Sequence, residues 1–162
     1  MSPGRTLKNC RGLTLIEMLI TMVILAVLAA AVMPLAEMSV RRSKEIELRR
    51  ALRQVRTAID AYKADFDRAV KEKKIISAIN ETGYPRELED LLTGESWGGM
   101  YEYKRKYLRR IPVDPFDEYE QGWGLRAYSD EPDSQVYGGG DIYDIYSQSD
   151  GVALDGTYYN TW

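Results

Sequence analysis

From Met18 to Ala36 the chain carries no charge, and only Thr21 and Pro34 interrupt an otherwise apolar composition. A carboxylate, Glu17, stands directly at the head of this run. As a helix, residues 13–36 span about 36 Å at about 1.5 Å per residue, enough to cross a bilayer. An unpaired carboxylate in hydrocarbon costs several kcal/mol, so Glu17 needs a partner that the preceding leader does not obviously supply. The leader has Arg5, Lys8 and Arg11 and no acid, which favours a cytoplasmic N-terminus. Arg41, Arg42 and Lys44 pull the other way from the far end.

The helical pattern continues beyond the apolar run. Leu48, Leu52, Val55, Ile59, Tyr62, Phe66 and Ala69 recur at spacings of four and three, which places them on one helical face. Glu37 with Arg41 and Glu45 with Arg49 are acid-to-base pairs at i,i+4, expected on the outer surface. No Gly interrupts residues 13–70, and Pro34 is the only Pro there. The pattern predicts one long helix over 13 to about 76, apolar all round in its first half and striped in its second. The stripe is expected to pack on a small sheet of the same chain, a coiled-coil seam being the alternative.

Residues 80–83 read as a break. Pro85 then opens a short amphipathic helix, Arg86–Leu92, which ends near Gly94. The basic cluster Lys104, Arg105, Lys106, Arg109 and Arg110 is expected as a solvated face over Tyr101, Tyr103 and Tyr107. Strands are expected over Gly124–Ser129 and Ile142–Ser147, with Tyr143 and Ile145 on one face. Asp130–Ser134 and Gly138–Gly140 form the connecting loop. Eleven of the 12 tyrosines follow residue 80, so tyrosine rings supply much of what covers the sheet. The expected class is α+β: a long N-terminal helix packed on a small antiparallel sheet.

The stretch Gly12-Leu13-Thr14-Leu15-Ile16-Glu17 resembles the processing motif of type IV pilins and of the pseudopilins of type II secretion. The resemblance implies cleavage by prepilin peptidase between Gly12 and Leu13, followed by methylation of the Leu13 amine. Thr14, Glu17 and Pro34 become assembly positions. Glu17 would pair with the first amine of a neighbouring subunit, and Pro34 matches a position where the assembled helix loosens. The domains are then a leader (1–12), a membrane and filament-core helix (13–36) and a periplasmic globular domain (37–162). The N-terminus lies in the cytoplasm of a bacterial inner membrane. Ile111-Pro112-Val113-Asp114-Pro115-Phe116 resembles the segment before the sheet in major pseudopilins.

The tail contains two Asp-Gly pairs, Asp150-Gly151 and Asp155-Gly156. It resembles the C-terminal loop of the major pseudopilin, which binds Ca2+ through aspartates and carbonyls. The resemblance implies Asp150 and Asp155 as ligands, with the carbonyl of Ser147 or Gln148 beside them. Asp-Gly pairs are also ordinary turn formers.

Composition narrows the function further. Losing the leader takes the 22 basic residues to 19 against 25 acidic ones, a formal charge of −6, which argues against nucleic-acid binding. The single cysteine, Cys10, lies in the leader, so the processed chain holds no disulfide. The sequence has no histidine, which excludes His-dependent triads and His metal sites within it. A membrane-anchored enzyme would have to use carboxylates such as Asp141 and Asp144. The expected function is a non-enzymatic subunit of a type II secretion pseudopilus, a helical homo-oligomer built with an inner-membrane assembly platform and minor pseudopilins. A type IV pilin of a surface fibre is the alternative, against which the missing disulfide weighs.

Overall fold

The structure, a computed structural model, describes residues 12–79 and 81–162. The leader residues before Gly12, with Cys10, and Asn80 in the expected break lie outside the described residues. Contacts divide the chain after Val40 into two compact units. Helix α1, Leu15–Lys71, supplies all but the first residues of the first unit and the opening of the second.

In the first unit, every described side chain from residue 12 to 40 is exposed. Leu15, Ile16, Leu19, Val23, Leu28 and Leu35 all stand open, so the apolar surface runs round the helix rather than along one stripe. This is the only helix among the described residues long and apolar enough to cross a membrane.

The second unit, Arg41–Trp162, is built on the predicted stripe. Leu48, Leu52, Val55 and Ile59 are buried with Leu91, Leu108, Trp123, Ile142, Ile145, Ala153 and Tyr159 in one cluster. Each large aliphatic side chain removed from water there contributes about 1.5–3 kcal/mol. Phe66 and Ala69, further along the same stripe, pack with Trp97 in a second cluster. The rings of Tyr62 and Trp97 meet edge-on at 4.8 Å. The intrachain packing of this stripe matches the expected arrangement.

α1 ends at Lys71 rather than near 76. Lys73 takes a left-handed φ of 58°, and the Lys74 N–H returns to the Ala69 carbonyl at 2.9 Å. That bond, with Lys73 N–H on the Val70 carbonyl at 3.0 Å, closes the helix as a Schellman turn with Lys in the place usually held by Gly. The second helix is also shorter than expected: α2 covers Asp90–Thr93. The Asp90 carboxylate accepts the Arg86 and Glu87 amides at 2.9 and 3.1 Å, which holds residues 86–89 as turns and starts the α-helical ladder at Asp90.

Strands β1, Gly124–Arg126, and β2, Asp144–Tyr146, pair antiparallel with Leu125 opposite Ile145. Both are shorter than the sequence suggests. Asp130 accepts the Ala127 amide at 2.7 Å through its side chain, which takes that amide into a turn instead of the ladder. Tyr143 precedes β2 and is 47% exposed, whereas Ile145 is fully buried, so the two do not share the expected face. A 3-10 turn, Tyr159–Thr161, lies beside β2. The whole is an α+β layout of a long helix and a small two-stranded sheet, consistent with a pilin-like fold.

Candidate functional site: the helix head and the C-terminal loop

Gly12, Leu13 and Thr14 precede the helix. The Glu17 N–H donates to the Thr14 hydroxyl at 3.3 Å, and the Met18 N–H to the Thr14 carbonyl at 3.1 Å. Thr14 therefore caps α1 by accepting one of the amides that a helix start leaves without an intrahelical acceptor. In the same tetrapeptide Glu17 brings negative charge to the first turn, where the helix dipole favours it. Its carboxylate is exposed and makes no ion pair among the described residues. Further along, Thr21 turns its hydroxyl onto the Met18 carbonyl at 2.8 Å, which hides its one polar group against the backbone. Pro34 sits inside the helix, where it can donate no ladder hydrogen bond.

At the other end of the chain, residues 151–159 form a small hairpin. Val152 and Tyr158 make an antiparallel bridge, and the Ala153 N–H donates to the Thr157 carbonyl at 2.7 Å. Gly156 turns the chain at a φ of 88°, a conformation that favours glycine.

This hairpin is fastened to α1 by side chains that the sequence places on an outer surface. Glu45 is buried and accepts the Leu154 amide at 2.8 Å and the Tyr159 hydroxyl at 3.0 Å. Arg41 lies 4.0 Å from Glu45 and donates to the Tyr159 hydroxyl at 3.3 Å and to the Val152 carbonyl. Arg49 pairs with Asp155 at 2.9 Å instead of with Glu45, and its guanidinium lies 4.0 Å from the centre of the Trp162 ring. Only the chain partner 106 residues away, invisible to local spacing, could have revealed this.

The expected metal ligands are accounted for separately. Asp150 accepts the Asn160 side-chain Nδ2 at 3.1 Å, and Asp155 accepts the Thr157 N–H and hydroxyl at 3.0 and 2.6 Å besides Arg49. These bonds, those of Thr157 first and Arg49 after them, hold the Asp155 carboxyl below its ordinary range. Ser147 is fully buried, with its hydroxyl accepting the Ser149 amide at 3.2 Å. Ca2+ takes about 6–8 oxygens. Among the described residues no group of three or more acidic, Cys or His side chains gathers as a metal site.

Two other carboxylates prove to be anchors. Asp144 is held by Arg56 at 2.6 Å and Arg126 at 3.4 Å, tying β2 to α1 and β1. Asp141, which is buried where Asp144 is only partly so, accepts the Tyr128 amide at 2.9 Å and the Thr82 hydroxyl. Asp65, which the sequence does not single out, is buried and collects the hydroxyls of Tyr101 and Tyr107 at 2.9 and 2.7 Å and the Arg105 guanidinium at 3.0 Å. The Trp97 indole in turn donates to the Tyr107 hydroxyl at 2.7 Å. The five basic residues are exposed, as expected of a solvated face, and Tyr101 and Tyr107 meet the buried Asp65 beneath it, whereas Tyr103 is itself exposed.

A family model described as the prokaryotic N-terminal methylation motif matches residues 7–33. No curated protein and no solved structure matches the chain. The matched stretch covers the capped helix head and most of the exposed apolar helix, and it fits a type IV pilin-like protein, processed by prepilin peptidase and assembled into filaments.

Proposed function

We propose that this chain is a structural subunit of a type II secretion pseudopilus, held in the bacterial inner membrane by residues 13–36 with its globular domain in the periplasm. Prepilin peptidase cuts between Gly12 and Leu13 and methylates the new amine. Subunits are then drawn from the membrane by the assembly platform, after minor pseudopilins have started the filament. The observation that carries this reading is Glu17: a carboxylate at the head of an apolar stretch whose described side chains are all exposed, with no ion-pair partner among the described residues. A neighbour's first amine would supply that partner once the helices bundle. Such a pair sets register more than it adds stability, because desolvation offsets much of the Coulomb attraction. The absence of any cysteine after Cys10 supports a pseudopilin over a disulfide-bearing surface pilin.

The test compares Glu17→Ala with Gly12→Val in cells that carry the rest of the machinery. Glu17→Ala is expected to give a processed chain by mass, with filaments lost; normal filaments from it would remove the assigned role. Gly12→Val is expected to leave the precursor, heavier by the leader. Deleting the gene is expected to strand secreted proteins in the periplasm. Lost surface fibres with secretion intact would instead identify a type IV pilin.

A further inference from the structure

In the resemblance from which the metal site was expected, a cation gathers a loop carboxylate and loop carbonyls. Here the same two kinds of donor are already held by guanidinium groups of α1. Arg49 holds the Asp155 carboxylate at 2.9 Å, and Arg41 holds the Val152 carbonyl. We infer that Arg41 and Arg49 are the built-in cations that fasten residues 150–162 to α1, in place of a bound metal ion.

The circuit around Arg49 is closed. From Arg49 it passes to Asp155, then to the Thr157 hydroxyl at 2.6 Å, then to the Trp162 indole N–H at 2.7 Å, whose ring returns to Arg49 at 4.0 Å. Each group has one partner on either side, and a planar guanidinium suits both the carboxylate and the ring face. Around Arg41 the arrangement is similar, with Glu45 supplying the neutralising charge and taking the Leu154 amide. A divalent ion at Asp155 would meet the positive charge of Arg49 at hydrogen-bond distance from its own ligand. Two arginines spaced at i,i+8 lie on one side of a helix, so α1 presents both to the hairpin at once. The fastening therefore needs no ion from the periplasm, and it weakens with monovalent salt because the Arg49–Asp155 pair is about half exposed on both sides.

The experiment is thermal unfolding of the full chain in detergent micelles, with chelator, with Ca2+ and with Mg2+ at matched ionic strength, alongside hydrogen exchange of residues 150–162. The expected result is the same midpoint in all three conditions. Arg49→Met and Arg41→Met should raise exchange in 150–162 at least tenfold while leaving the Leu48–Ile59 amides protected. Arg49→Lys, which keeps charge but loses the fork and the stacking plane, should fall between Arg49→Met and the parent. A midpoint raised by Ca2+ and not by Mg2+, and lost in Asp150→Asn or Asp155→Asn, would overturn the inference and restore the metal. Unchanged exchange in both arginine variants would overturn it as well.

Discussion

The Tyr159 hydroxyl donates to the Glu45 carboxylate at 3.0 Å, a bond between residues 114 apart in the chain that joins the final turn to the opening of the second unit. Both partners are buried, and Glu45 also takes the Leu154 amide. Removing the acid leaves two donors without an acceptor, whereas removing the hydroxyl leaves the acid with its other bond.

Glu45→Ala is therefore expected to destabilise more than Tyr159→Phe. The first should cost about 2–4 kcal/mol and the second about 1 kcal/mol, from typical penalties for buried donors and for single hydrogen bonds. Urea unfolding of the two variants checks the order. Equal losses would show that the hydroxyl carries as much as the acid, since the ring that Tyr159→Phe retains keeps its stacking on Phe116 at 4.1 Å.

Asp65→Asn tests the anchor beneath the basic cluster. The amide keeps the shape but brings donors to a site where Tyr101, Tyr107 and Arg105 already donate. A loss of about 1–3 kcal/mol is expected, with a change in near-ultraviolet circular dichroism as the tyrosines reorient. Lys104→Gln, on the exposed part of the same cluster, should change neither.

Alkaline stability follows from Tyr62. Burial, then the nearby charges of Asp90, Glu95 and Glu81, pushes its phenol up to about 12. Tyr107 is raised as well, by burial and then by its bond to Asp65. A raised folded-state pKa means that the stabilisation is complete below the unfolded value near about 10 and is lost as pH climbs through the folded one. The second unit is expected to unfold between about pH 10 and 12, and the share of phenolate absorbance due to Tyr62 and Tyr107 should rise with the loss of structure rather than before it. Tyr62→Phe should move that transition upward.

On the acid side the relevant group is Asp155. Its lowered pKa means a contribution that is complete above the unfolded value near about 4 and is lost as pH falls through the folded one. Exchange in residues 150–162 should rise there, ahead of the Leu48–Ile59 core.

The long helix and its core stripe are legible in the sequence because they obey local periodicity: Leu48, Leu52, Val55 and Ile59 declare one face by spacing alone. The helix head is legible only in part: the pattern starts the helix at 13, whereas Thr14 caps it and α1 opens at Leu15. Illegible are the contacts that depend on where distant segments meet. Glu45 and Arg49 satisfy the i,i+4 rule for a surface pair, yet each prefers a partner in the hairpin. Asp65 and Asp141 look like solvent-facing acids until the fold buries them, and Asp144 until Arg56 and Arg126 hold it. The strand ends are hidden differently: β1 stops where the Asp130 side chain outcompetes a ladder acceptor for the Ala127 amide.

The Thr14 cap has a consequence for the chemistry that precedes assembly. Hydrolysis requires a scissile peptide whose carbonyl can be polarised and whose two sides can be drawn straight through an enzyme's cleft. Because the helical ladder begins only at Leu15, the Gly12–Leu13 bond, the proposed point of cleavage, is not locked into it, and the glycine adds no side chain to obstruct the approach. With cleavage where we propose it, one hydroxyl divides the motif into a part that can be cut and a part that stays coiled, two residues from the bond itself.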